Sequence, residues 1–183
     1  MQLTGINGFD ARIMEFIQNN LHCPAADFFF SAITYLGEAG ALWLCAAVIL
    51  LFFKKTRTTG ILVLAAMLLT FVTGELAMKN LICRPRPCHT FPDVSLLIAR
   101  PHSFSFPSGH SASSFAAAVM IFLRHKKQAW PALLLAAAIA FSRVYLFVHY
   151  PTDILAGALL GTLFAVLVFS VYTRQSSKKH PNT

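Results

Sequence analysis

The chain has 183 residues, of which 56% are hydrophobic and only 12% charged. A soluble domain carries roughly 25% charged residues, so this composition excludes an ordinary water-soluble fold and points to a membrane as solvent. The net charge of +8, from 15 Lys and Arg against 7 Asp and Glu, reads as the basic loops of a membrane protein and not as a nucleic-acid surface.

Taken in order, residues 9–20 place Phe9, Ile13, Phe16 and Ile17 at helical spacing on one face, with Asp10, Arg12, Glu15 and Gln18 elsewhere. This predicts a short amphipathic helix lying in the membrane interface. Nothing in it resembles a cleavable signal peptide. Pro24 suits the first position of the next helix. Residues 28–53 are apolar apart from Glu38 and a few hydroxyls. A span needs about 30 Å of helix, so this one starts near Phe30 and tolerates a break at Gly37.

KKTR at 54–57 ends that span, and residues 59–78 form the second, with Glu75 near its end. Lys79 to Pro107 is a polar loop holding five prolines: Pro85, Pro87, Pro92, Pro101 and Pro107. The third span runs from Ser108 to Leu123, the fourth from Ala129 to Phe147 and the fifth from Asp153 to Tyr172. Residues 173–183 read as a polar, frayed tail. The expected fold is therefore all-α. It is a polytopic membrane helical bundle of about five transmembrane helices plus the N-terminal amphipathic helix, one domain over residues 1–183 with its core at about 30–172.

Charge sets the expected orientation. With five spans, Lys54, Lys55, Arg57, Arg124, Lys126, Lys127, Arg174, Lys178 and Lys179 share one side. The positive-inside rule puts these loops and the tail in the cytoplasm. Three polar clusters then meet on the outer face: KNLICRPRP from Lys79, PSGH from Pro107, and SRVYLFVHYPTD from Ser142 to Asp153.

Each cluster has two readings when taken alone. Lys79 suits a helix C-terminus and can pair with Glu75 four residues earlier, or it can hold an anion. Arg84 and Arg86 alternate with Pro85 and Pro87. Rigid proline backbone presents their guanidinium groups, which suit bidentate phosphate contacts, though a basic interfacial turn would look the same. Ser108 is a natural N-cap and Gly109 permits close approach, so PSGH reads as an anion site at a helix start or as a capped helix with a surface His110. Arg143 lies inside an apolar run, where a cation is costly and usually functional. Asp153 complements a helix dipole, or it orients His149. Cys23, Cys45, Cys83 and Cys88 lack zinc-ligand spacing; Cys83 and Cys88 flank RPRP and could pair or stay free.

Together, Lys79–x6–Arg86–Pro87, Pro107-Ser108-Gly109-His110 and Ser142-Arg143–x5–His149–x3–Asp153 resemble the three motifs of the type 2 phosphatidic acid phosphatase (PAP2) superfamily. The likeness covers about residues 30–172, and no motif position departs from the pattern. It implies a membrane lipid phosphatase that needs no metal or other cofactor. It implies His149 as the nucleophile of a phosphohistidine intermediate, Asp153 as its partner and His110 as general acid. It assigns phosphate binding to Lys79, Arg86, Ser108, Gly109 and Arg143. The small size and outward site resemble bacterial undecaprenyl diphosphate phosphatases, which makes undecaprenyl diphosphate the expected substrate. Arg84 and Arg100 are then candidates for its second phosphoryl group. Phosphatidylglycerophosphate or phosphatidic acid is the alternative substrate. A non-enzymatic lipid-phosphate binding or transport protein is the alternative class, although binding alone needs only the cations. The expected partners are the lipid substrate and membrane lipids, with no nucleic acid.

Overall fold

The computed structural model describes residues 3, 5–6, 8–127 and 129–179, excepting the side chain of Lys179. Its longer helices are α1 (Gly8–Asn20), α2 (Pro24–Leu36), α3 (Ala41–Phe52) and α4 (Arg57–Phe71). A π-helical stretch, Val72–Met78, links α4 to the short α5 (Lys79–Ile82) and α6 (Pro87–Thr90). Then come α7 (Gly109–Arg124), α8 (Trp130–Tyr145) and α9 (Pro151–Lys179). No strand occurs among the described residues.

Two of these stretches, Arg57–Thr90 and Pro151–Lys178, are long and apolar enough to cross a membrane. The broken pair α2–α3, bent by 45°, makes a third if taken as one span. At 16 residues each, α7 and α8 extend about 24 Å, short of the roughly 30 Å hydrocarbon core. The protein is an all-helical membrane protein with two to three spans by this measure among the described residues.

The break in the first apolar segment falls where expected. Proline stands at the start of α2, and Gly37 ends it. Ala39 (φ 49°) and Gly40 (φ 68°) then take left-handed backbone before α3 begins. Glu38 is carried on this turn.

α7 is the axis of the bundle. Its serines and alanines, among them Ser111, Ala112, Ser114 and Ala116 to Ala118, are buried. Small side chains let neighbouring backbones come close. On α9, Gly157 faces the Ser108 carbonyl and Gly161 faces the Ala112 carbonyl, and at either position a Cβ would collide with that backbone. Trp43 of α3 donates its indole N–H to Ser114 Oγ at 2.8 Å.

The basic turns gather at one end. Thr59 Oγ1 lies 2.9 Å from His125 Nε2, and the Arg124 guanidinium sits over the Tyr172 ring at 5.2 Å. The three polar clusters occupy the opposite end. A second apolar core there holds Met14 and Ile17 of α1 against Tyr145, Leu146, Phe147, Val148 and Tyr150.

Two expectations change. α1 buries Asp10, Ala11, Met14 and Ile17, while Phe9 and Phe16 are exposed. The buried face thus keeps Ile17 but is turned away from Phe9 and Phe16, because Asp10 is drawn inward by Arg84 and Thr152. The stretch from residue 173 to Lys179 continues α9 as helix instead of fraying; residues 180–183 lie outside the described residues. Of the two readings open for Cys83 and Cys88, the structure has the unpaired one: Cys83 is exposed and Cys88 buried, both free.

Candidate active site

Lys79, Arg86, Gly109, His110, Arg143 and His149 all line one cavity of about 810 Å³. The same cavity is also lined by apolar side chains, Leu44 of α3 and Leu64, Met67, Leu68 and Phe71 of α4.

His149 is delivered by the way α8 ends. The N–H groups of Val148 and His149 both donate to the Arg143 carbonyl at 3.1 Å, and Phe147 takes the left-handed conformation (φ 60°) that reverses the chain. Such a cap usually uses glycine. The imidazole is 1% exposed. Its Nε2 lies 2.9 Å from Arg86 Nη1. Arginine has only donors, so Nε2 accepts and the ring proton is on Nδ1. Nδ1 faces Ser105 Oγ at 3.4 Å and Asp153 Oδ2 at 3.5 Å. Ser105 in turn donates to Asp153 Oδ2. The path from imidazole to carboxylate therefore runs partly through a serine. Burial, followed by the Arg86, Arg143 and Lys79 charges, holds the His149 pKa well below the ordinary 6.5. A lowered pKa leaves the ring neutral at pH 7, with an unprotonated Nε2 that accepts from Arg86.

Asp153 is fully buried and also accepts from the Tyr150 N–H at 3.0 Å. Arg84 Nη1 donates to Asp153 Oδ1 at 2.6 Å, and Arg84 Nη2 donates to Asp10 Oδ2 at 2.7 Å. The same guanidinium reaches Thr152 Oγ1 at 2.8 Å and stacks on the Tyr150 ring at 3.9 Å. This corrects the expectation of a second-phosphoryl contact for Arg84. It does not line the cavity; two buried carboxylates hold it behind the site. Arg100 does line the cavity, with its guanidinium donating to the carbonyls of Cys88 and Pro92.

The remaining cations are fixed from behind. Arg86 donates Nε to the Ser103 carbonyl at 2.6 Å, Nη2 to Ser103 Oγ at 2.9 Å and Nη1 to the Val148 carbonyl at 2.9 Å. Arg143, 4% exposed, donates Nη1 to Thr34 Oγ1 of α2. Lys79 pairs with Glu75 at 2.8 Å, the local ion pair expected four residues apart. Glu75 also packs on Gly109, where a Cβ would collide with Glu75 Oε1.

Ser108 sits behind the cavity wall as the N-cap of α7. Its Oγ accepts from the Ser111 N–H at 3.4 Å and from Ser111 Oγ at 3.1 Å, and its own N–H donates to the Asp153 carbonyl at 3.1 Å. Two buried side-chain atoms among the described residues lack any partner, His110 Nε2 and Arg143 Nε. Both belong to residues lining this cavity. Buried donors are rarely left unpaired, and an anion with several acceptor oxygens would satisfy Arg143 Nε. No group of three or more His, Cys, Asp or Glu among the described residues could hold a metal ion.

The site also uses residues that sequence reasoning missed. Ser105, Ser103 and Thr34 contribute side chains or carbonyls to motif residues, and Asp10 and Glu38 contribute carboxylates. Ser105 and Ser103 stand in the loop just before PSGH, but no spacing rule marks them.

Known proteins place this geometry. The chain is 37% identical over 138 residues to "Bacitracin transport permease protein BcrC" of Bacillus licheniformis, covering 74% of this chain and 68% of the relative. It is 32% identical over 139 residues to "Undecaprenyl-diphosphatase" of Sulfolobus acidocaldarius, covering 75% and 67%. The crystal structure of LpxE from Aquifex aeolicus superposes with a TM-score of 0.79 at 28% identity, covering 93% of this chain and 99% of that one. Residues 59–177 match the sequence profile of the PAP2 superfamily. The match spans more than half of the chain and takes in all three polar clusters, so this protein belongs to the PAP2 superfamily of phosphatases.

Proposed function

We propose that the protein hydrolyses undecaprenyl diphosphate to undecaprenyl phosphate at the outer membrane face. One observation carries the reading: a neutral His149, with its Nε2 lone pair aimed at Arg86, lines a cavity that holds both cations and apolar side chains. Nε2 attacks the terminal phosphorus, and the bond pair of the breaking P–O bond goes to the leaving lipid phosphate. His110 protonates that leaving oxygen. Lys79, Arg86 and Arg143 offset the charge on the equatorial oxygens, as transfer with little covalent assistance requires. Water then opens the phosphohistidine. The apolar lining suits a hydrocarbon chain, and the name of the Sulfolobus relative supports the substrate. Arg100, on the cavity wall, is the candidate contact for the second phosphoryl group.

The test is a panel of lipid phosphates with protein purified in detergent. Undecaprenyl diphosphate is expected to turn over faster than phosphatidylglycerophosphate or phosphatidic acid. Activity is expected to persist in EDTA, because side-chain cations do the work that Mg²⁺ does elsewhere. Arg100→Ala is expected to lower diphosphate hydrolysis more than monophosphate hydrolysis. Equal or slower cleavage of the diphosphate by wild type would replace the substrate with the monophosphate lipids. The Bacillus licheniformis relative carries a transport name, so binding without any phosphate release would favour a non-enzymatic role.

The outward orientation rests on the nine cations gathered away from the site. In a cysteine-free background, Ser95→Cys is expected to label from outside intact cells and Lys126→Cys to stay protected. The reverse labelling would move the site to the inner leaflet.

A further inference from the structure

His110 has a carboxylate facing it that lies outside all three motifs. Glu38 Oε2 stands 3.7 Å from His110 Nε2, the ring nitrogen that is buried without a hydrogen-bond partner. The approach is built into the break between α2 and α3. A Cβ on Gly37 would come within 2.7 Å of His110 Cδ2 and 2.6 Å of Ile139 Cγ2, so only glycine lets the ring lie there. The left-handed residues Ala39 and Gly40 follow at once. Strained backbone persists where the surroundings enforce it, and such places cluster at functional sites. Glu38 and His110 both line the cavity.

The other charged groups on the cavity wall make this carboxylate matter. Lys79, Arg86, Arg100 and Arg143 are cations there, and His149 is a neutral base. The second carboxylate, Glu75, is committed to Lys79. A general acid must hold a proton among these cations until the leaving group needs it. Among the described residues, Glu38 is the carboxylate the structure pairs with His110.

We propose that Glu38 is the positioning residue for His110. Its carboxylate accepts the Nε2–H, which fixes the ring and leaves the Nδ1–H as the proton to be given. As His149 Nε2 bonds to phosphorus, the P–O bond to the leaving group breaks and its electron pair stays on the leaving oxygen. That oxygen takes the proton from His110 Nδ1, and His110 becomes neutral while keeping Nε2–H on Glu38. In the second half, neutral Nδ1 takes a proton from the attacking water. The P–N bond pair returns to His149, and inorganic phosphate departs. This inference rests on the proposed role of His110 as the acid.

The experiment compares leaving groups. Glu38→Gln, Glu38→Asp and His110→Ala are each assayed on an alkyl phosphate monoester, whose leaving oxygen needs a proton, and on p-nitrophenyl phosphate, whose leaving oxygen does not. A positioned acid contributes roughly 10²–10⁴-fold, so Glu38→Gln is expected to lower kcat on the alkyl ester about tenfold and on the aryl ester less than about twofold. KM should not move, and Glu38→Asp should recover most of the loss. With Glu38 mostly exposed, at 69% for its side chain, these variants should fold, and a thermal melt in detergent checks this. Equal losses on both esters, or no loss on either, would overturn the role of Glu38. If His110→Ala itself shows no dependence on the leaving group, the acid role of His110 falls first.

Discussion

His149→Ala is expected to lower turnover about 10⁴-fold or more, the scale seen when a catalytic nucleophile is removed. The argument is local. His149 Nε2 is the lone pair held beside Arg86 on the cavity wall, and Nδ1 of the same ring faces Asp153 Oδ2. The fold should survive. Arg86 keeps its bonds to the Ser103 carbonyl, Ser103 Oγ and the Val148 carbonyl when the ring is gone. Single-turnover assays with radiolabelled phosphate provide the check: wild type should pass through an acid-labile phosphoenzyme and the variant should form none. Multiple-turnover activity within about tenfold of wild type would end the covalent mechanism.

Arg84→Met is expected to be the most damaging change outside the motif residues. It strips the cation from Asp10 and Asp153, both fully buried. Removing one partner of a buried ion pair costs about 3–5 kcal/mol, because the remaining charge has lost its compensation. For a chain of this size that corresponds to a fall in Tm of about 6–20 °C. Activity should fall too, since Asp153 loses the contact that fixes Oδ1 while Ser105 and Tyr150 hold Oδ2. Arg84→Lys keeps the charge but not the fork that reaches both carboxylates, so its loss should be intermediate. Thermal melts in detergent and phosphate release read the two effects separately. A variant with wild-type Tm would mean that the two carboxylates do not depend on Arg84.

How much of this was legible beforehand follows from the range of each interaction. The motif residues were readable because composition and short spacing carry them: Ser108 caps α7 from one residue away, and Lys79 meets Glu75 within a helical turn. The all-helical character was readable because an apolar run in a membrane must close its hydrogen bonds internally, but the expected five spans were not matched: two to three stretches among the described residues are long and apolar enough to cross. Asp10 was misplaced because its partner Arg84 stands 74 residues along the chain, and periodicity sees only the polar character of a lone aspartate. Arg84 was given to the ligand because RPRP advertises phosphate binding, whereas Asp10 and Asp153 occupy it. Thr34 and Glu38 come from the first apolar segment, where hydroxyls and a single acid carry no local signal.

Three residues other than glycine hold left-handed backbone among the described residues: Ala39, Cys83 and Phe147. Each adjoins a side chain of the site, namely Glu38, Arg84 and, two positions on, His149. A non-glycine residue pays roughly 1–2 kcal/mol for that conformation, which glycine would avoid. The chain thus holds a reserve of stability next to its chemistry and does not draw on it. Glycine at these joints would also free the backbone to sample other directions. Side chains with a Cβ limit that wandering, so the strain serves as a set of stiff joints that keep Glu38, Arg84 and His149 aimed. Thermostable variants of this protein are therefore better sought away from these three positions, along the lipid-facing helices.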